Sequence, residues 1–184
     1  MAKTAIMIDL ETLSTNHNAT LLTIGAVRFD PHGDPLSIQP EDTLYIKVDI
    51  ESCEKYNGHI QDETLNWWGR QSAEAQEAAF DPTDRVDIEV AMQQLYKFCW
   101  GCTTVWSHGA IFDIVVCEYI FKYLGKAVPW KYYQARDTRT LFDLGIGLNA
   151  DMPEATAHNA LEDAIAQTIA VLNVNRQLRE LATK

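Results

Sequence analysis

Asp9-Leu10-Glu11 stands where a short apolar run ends, and two carboxylates two residues apart on a strand project from the same face. Like charges held that close repel, which costs folding energy unless a cation lies between them. A solvated strand end would account for such a triplet alone. Against that reading, Asp9 directly follows Ile6-Met7-Ile8, where no solvating residue is needed. A second carboxylate, Asp113, ends the segment Trp106-Ser107-His108-Gly109-Ala110-Ile111-Phe112-Asp113, after a strand and a glycine-containing turn. There it could cap the next helix, worth about 1 kcal/mol, or serve as a ligand, with Phe112 packed beneath it. A third segment, His158-Asn159-Ala160-Leu161-Glu162-Asp163, sets an imidazole just before a helix and a carboxylate one turn into it. Both can face one cleft, and Ala160 lets the helix lie close to a sheet. The plainer account is a surface helix start with acidic residues at its positive end.

Net charge narrows the chemistry. With 15 Lys and Arg against 26 Asp and Glu, the chain carries −11, which argues against the broadly basic surface that extensive duplex binding needs. An acidic protein can still act on nucleic acid where its negative charge is concentrated around divalent cations, because the ions invert the local field. The 184 residues, 47% apolar and 22% charged, fit one domain with a real core and no low-complexity stretch. Met1-Ala2-Lys3-Thr4 leads into Ala5 to Ile8, too short a run for a signal peptide or a membrane span. A soluble, cytoplasmic protein with free thiols is therefore expected, although Cys99-Trp100-Gly101-Cys102 has the spacing of a redox dithiol or half a zinc site. No second pair completes such a site. The pattern fits Cys99 closing a helix face, Gly101 ending that helix and Cys102 beginning a strand.

The elements that must position the carboxylates follow from periodicity. Thr4 to Leu10, Leu21 to Phe29 and Thr43 to Val48 read as strands of an antiparallel meander, with Asp30-Pro31-His32-Gly33-Asp34-Pro35 turning between the last two. From Asp87, the residues Ile88, Ala91, Met92, Leu95, Phe98 and Cys99 fall on one helical face that ends near Gly101. A strand from Thr103 to Trp106 and a helix from Phe112 to Leu124 come next. A further short strand or loop after Pro129, a helix near Thr138 to Leu144 and a last helix from about Asn159 to Leu178 complete the pattern. Strands first, then strands alternating with helices, predict an α/β or α+β class with a mixed sheet covered by helices.

Taken together and in this order, Asp9-Leu10-Glu11, Phe112-Asp113 and His158-x-Ala160-x-x-Asp163 resemble the DEDDh exonuclease family over almost the whole chain. Thr12, Ile24-Gly25-Ala26-Val27 and Arg136-Asp137-Thr138 agree with it, and Trp67-Trp68 is similar to a pair found in small bacterial and phage members, including the adenosine-preferring exoribonuclease branch. His108-Gly109 stands where many members have Asn. The resemblance implies an α/β, ribonuclease H-like mixed five-stranded sheet flanked by helices, forming one 3′→5′ exonuclease domain over residues 1–184. It implies two Mg²⁺ or Mn²⁺ ions held by Asp9, Glu11, Asp113 and Asp163, and His158 as general base acting at the 3′ end of single-stranded DNA or RNA. Nucleoside 5′-monophosphates would be the products. The ligand chemistry agrees, since hard divalent ions select carboxylate oxygens and a pair of them can stabilise the entering and leaving oxygens of an in-line displacement. Thr12 and Leu13 are expected at the terminal sugar and base, Trp67 or Trp68 at a stacking face, and His108 and Arg136 at the substrate. Lys131, Tyr132, Tyr133, Arg136 and Arg139 form a basic and aromatic cluster that could track a backbone or simply be a solvated face. A homodimer is left open. The competing readings are an exoribonuclease that trims RNA tails, a non-catalytic nucleic-acid-binding module on this fold, and a thiol oxidoreductase using Cys99 and Cys102. Gly145-Ile146-Gly147 is too short to be a phosphate loop.

Overall fold

The computed structural model describes residues 4–144, 150, 153 and 158–183. Met1 to Lys3 and Gly145-Ile146-Gly147 lie outside them. Strands β1 (Ala5–Thr12), β2 (Leu21–Phe29) and β3 (Thr43–Lys47) form the antiparallel meander. Helices α1 (Asp62–Trp68), α2 (Ala73–Phe80) and α3 (Ile88–Cys99) follow, then β4 (Thr104–Ser107), α4 (Asp113–Tyr123), β5 (Ala135–Asp137), α5 (Thr138–Phe142) and α6 (Ala160–Ala182). The five-stranded sheet runs β3-β2-β1-β4-β5, with β4 and β5 parallel to β1. None of the helices among the described residues is long and apolar enough to cross a membrane.

The strand period of two decides where the chemistry faces. Ile6, Ile8 and Leu10 pack on one side of β1 with Leu95 of α3 and Ile120 of α4, in the larger apolar cluster. Ala5 and Met7 point the other way, against Ala164, Val171 and Leu172 of α6. Asp9 and Glu11 continue this second face. β1 extends through Glu11, which pairs with Thr23, before a bulge between Glu11 and Thr12; the strand thus ends two residues later than periodicity alone predicts. Both carboxylates are held on rigid, hydrogen-bonded backbone opposite α6.

Gly25 fixes how near α6 comes. It pairs with Asp9 across the sheet, and a Cβ built on it would stand 2.1 Å from the carbonyl oxygen of Ala160 and 2.4 Å from the amide nitrogen of Leu161. The start of α6 therefore rests on bare backbone of β2, which only glycine permits at that separation. Because the obstacle is main chain, Gly25→Ala is expected to push the helix start outward and destabilise the fold by about 3 kcal/mol or more, roughly 6–12 °C in Tm. Thermal unfolding checks this. A variant within 2 °C of wild type would show that α6 is not seated on β2 as described.

Helices α1 and α2 are absent from the periodicity reading. Their residues are largely exposed, with only Trp68 buried in α1 and Ala75 and Ala79 in α2, so no apolar face announces them. They nevertheless close one end of the sheet: Trp68, Leu13, Leu22 and Ala79 form a separate cluster, and the Trp68 indole donates to the Thr12 carbonyl at 2.9 Å. The four cysteines are free and buried. Cys99 ends α3, Gly101 takes φ +80°, and Cys102 precedes β4 by two residues instead of opening it.

Candidate active site

Three elements bring their carboxylates to one cavity of about 630 Å³, lined by Asp9 and Glu11 of β1, Asp113 of α4, Asp163 of α6, and by His108 and His158. Asp113 is the first residue of α4 and not its cap; Phe112 holds the cap position and contributes no side-chain hydrogen bond. Phe112 lines the cavity with Asp113 and packs partly buried against the main core. Asn159 caps α6, accepting from the amides of Leu161 at 3.1 Å and Glu162 at 3.2 Å. This frees Asp163, one turn in, to face the cavity. His158 precedes the cap with φ +68°, a left-handed conformation that is uncommon outside glycine. Its ring meets Trp67 edge-on with centroids 4.6 Å apart, and one ligand atom each of Glu11, His158 and Asp163 lie within 4.8 Å of one another.

The electrostatics show what this convergence costs. Burial, followed by the charges of Asp113 and Glu11, raises the Asp9 carboxyl well above the usual carboxylate range, against the pull of a Gln167 hydrogen bond. Burial and then the Asp163 and Asp113 charges push Glu11 up to about 8. Burial takes Asp113 to about 7 even though the amide of Leu10 and the charge of Arg139 pull it down. Asp163 is raised by burial, with His158 opposing. Carboxyls whose folded values exceed their unfolded ones bind extra protons in the native state, so stability falls as pH rises through the interval between the two. With divalent ions stripped by chelator, the protein is expected to be several kcal/mol less stable at pH 8 than at pH 5, each tenfold change in proton affinity being worth about 1.4 kcal/mol. Mn²⁺ should remove most of that difference. Denaturant unfolding at the two pH values measures it, and a rise in stability from pH 5 to pH 8 without metal would contradict the repulsion.

The other residues expected from the sequence separate into three groups. His108 lines the cavity, its Nδ1 2.7 Å from the Thr138 hydroxyl. Thr12, Trp67 and Trp68 line an adjoining groove of about 400 Å³ with Glu11, Ser14, Thr15, Gln61 and Phe112. Trp67 is 37% exposed whereas Trp68 is 2% exposed with its N–H already used, which leaves Trp67 as the accessible face. Leu13 and Arg136 are not brought to either opening. Leu13 is buried in the cluster with Trp68 and Leu22. Arg136 points outward from the edge strand β5, its guanidinium donating to the carbonyls of Tyr133 and Ala135.

Gln167 was not anticipated as a site residue, and Arg139 was expected only as part of the basic and aromatic cluster. Gln167 donates to Asp9 at 2.8 Å and sits one turn beyond Asp163, the i+4 position on the same helix face, a spacing that could have revealed it. Arg139 lines the cavity as its cation. A Cβ on Gly109, whose φ is +136°, would come within 2.6 Å of the Arg139 guanidinium, so the glycine leaves room for that side chain.

A mixed sheet with this strand order is a ribonuclease H-like fold, and the acids on β1, α4 and α6 beside a histidine are the set that the resemblance to DEDDh exonucleases implies. The chain belongs to the Rv2179c-like 3′-5′ exoribonuclease domain family, whose model matches residues 4–174. It is a 3′→5′ exonuclease. No curated protein matches it significantly. Among solved structures it is similar to S. pombe Pop2p in its Mg²⁺- and Mn²⁺-bound form, at 10% identity and TM-score 0.62 over 96% of this chain and 84% of that one. It is also similar to the nuclease domain of 3′hExo, a DEDDh family member, bound to rAMP (15% identity, TM-score 0.53, 97% and 93% covered). Exonuclease X in complex with 5′ overhanging duplex DNA is a third such structure (16% identity, TM-score 0.54, 94% and 92% covered). At these identities the likeness establishes the fold.

Proposed function

We propose that the protein, acting as one exonuclease domain, shortens single-stranded RNA from its 3′ end and releases nucleoside 5′-monophosphates. The observation that carries this reading is the convergence of Asp9, Glu11, Asp113 and Asp163, all with raised proton affinity, on one cavity beside His158. An all-oxygen set of anionic donors fits hard divalent cations such as Mg²⁺ or Mn²⁺, and the mutual repulsion is what such ions would relieve. When bound between these carboxylates, two ions would supply charge stabilisation to the entering and leaving oxygens of phosphodiester hydrolysis. Asp9 is held in place by Gln167, and His158 takes a proton from the attacking water at its ring nitrogen. Arg139 pairs with a phosphate of the strand, and Trp67 offers a face to a base.

RNA is favoured over DNA by the family's description as an exoribonuclease and by the adjoining groove. The side-chain oxygens of Thr15 and Gln61, which line it, can accept a hydrogen bond from a 2′-hydroxyl. Four free, buried cysteines suit a reducing cytoplasm. The test is incubation with 3′-labelled and 5′-labelled RNA and DNA strands of equal sequence, with Mn²⁺ or with EDTA. A 3′ label released first as mononucleotide, faster from RNA and only with Mn²⁺, is the expected pattern. Faster loss from DNA would reverse the sugar assignment, and intact strands under every condition would leave only a binding module.

A further inference from the structure

We infer that the upstream part of the strand is held on a second nucleic-acid surface at the far end of β4 and β5, built from Trp100, Tyr133 and Lys131; this rests on the exonuclease reading. Both strands run toward the cavity at their C-terminal ends, where His108 and Thr138 meet. At their N-terminal ends lies a groove of about 560 Å³ with Trp130 among its lining residues and Tyr96, Trp100 and Tyr133 at its sides. Trp100 is 70% exposed, Tyr133 64% and Tyr132 86%, three large rings that a protein would ordinarily cover. Tyr96 and Trp100 stand 5.5 Å apart between centroids. Trp130 is already engaged, donating to Glu118.

Charge identifies the occupant. In a chain of net charge −11, Lys131 is the charged residue lining the groove, and the segments 93–102 and 122–136 around it carry Lys97, Lys122, Lys126 and Arg136 and no Asp or Glu, Lys122 being paired with Glu118 outside them. Exposed aromatic rings among cations are the equipment of a single-strand platform, the rings taking base faces and the cations the phosphates. A proline-rich peptide would also suit aromatic walls, but it would not call for the segregation of positive charge. The surface is continuous with the cavity along the edge strand, since Arg136 stands between Tyr133 and helix α5, which carries Arg139. From Cys102 to His108 is six residues, about 20 Å at strand rise. A stacked strand covers that distance in roughly six nucleotides. Short substrates cannot touch both places.

The experiment therefore varies strand length. Wild type and the Trp100→Ala/Tyr133→Ala double variant are compared on a trinucleotide and a 12-mer of RNA, with cleavage kinetics in Mn²⁺ and fluorescence anisotropy of the 12-mer in Ca²⁺. Both side chains are exposed, and thermal unfolding confirms an intact fold. The double variant is expected to weaken 12-mer binding and raise its KM about tenfold or more, leaving kcat and every trinucleotide constant unchanged. Equal effects on both lengths, or none on either, overturn the surface, the latter leaving a peptide as the groove's ligand. Wild type that cleaves neither strand yet binds the 12-mer through Trp100 and Tyr133 would sink the exonuclease reading and keep the surface.

Discussion

Replacing Asp113 by Asn is expected to lower Mn²⁺-dependent cleavage by at least about 10³-fold, equivalent to about 4 kcal/mol of barrier, while making the chelator-treated protein more stable at pH 8. The two effects have one origin. Asp113 is buried at the start of α4 with its proton affinity raised to about 7, and its charge also raises Asp9 and Glu11. An amide keeps the shape and can still accept from Leu10, but it removes an anionic donor and one member of a mutually repelling set. Activity and metal-free stability should move in opposite directions, measured by steady-state turnover at saturating Mn²⁺ and by denaturant unfolding in EDTA. Wild-type rates would remove Asp113 from the chemistry; lost rates with lost stability would recast it as a folding residue.

The second large effect is expected at His158. His158→Ala should lower kcat by about 10² to 10⁴-fold, the range of a general base, with Mn²⁺ affinity unchanged by calorimetry. The structure makes this a sharp alternative, because the imidazole is near enough to Glu11 and Asp163 to serve as a ligand itself. A ligand would betray itself through weakened Mn²⁺ binding and turnover recovered at high metal. The imidazole is held on backbone at φ +68°, an uncommon left-handed conformation for a residue other than glycine. Trp67, in a T-shaped contact with centroids 4.6 Å apart, packs against the imidazole ring.

Much of this was legible in the residues themselves. The β1, β2, α3, α4 and α6 segments declare their periods because each buries one or both faces, and the carboxylates declare themselves because Asp9 follows three buried residues in a core strand. The class of chemistry came from the joint order of motifs; no single triplet could have given it. Helices α1 and α2 stayed hidden since exposed helices lack an apolar stripe. Arg136 faces outward from the short edge strand β5, whereas Arg139, in the following helix α5, lines the cavity; a three-residue strand running straight into a five-residue helix is too short for either period to show. Leu13, just past the bulge after Glu11, is buried in packing with Trp68, whose N–H is held by the Thr12 carbonyl, a pairing across 56 residues that side-chain types do not encode.

The seat of α6 on Gly25 has a bearing on biosynthesis. Asp9 and Glu11 leave the ribosome early, whereas Asp163 and the helix that carries it come some 150 residues later, and synthesis proceeds from the N-terminus at about 5–20 residues per second. Until that last helix slides onto the bare main chain of β2, the nascent polypeptide lacks Asp163 and has nothing to seat His158 beside the other three carboxylates. A nuclease assembled this way gains its fourth carboxylate only once α6 has been made and seated.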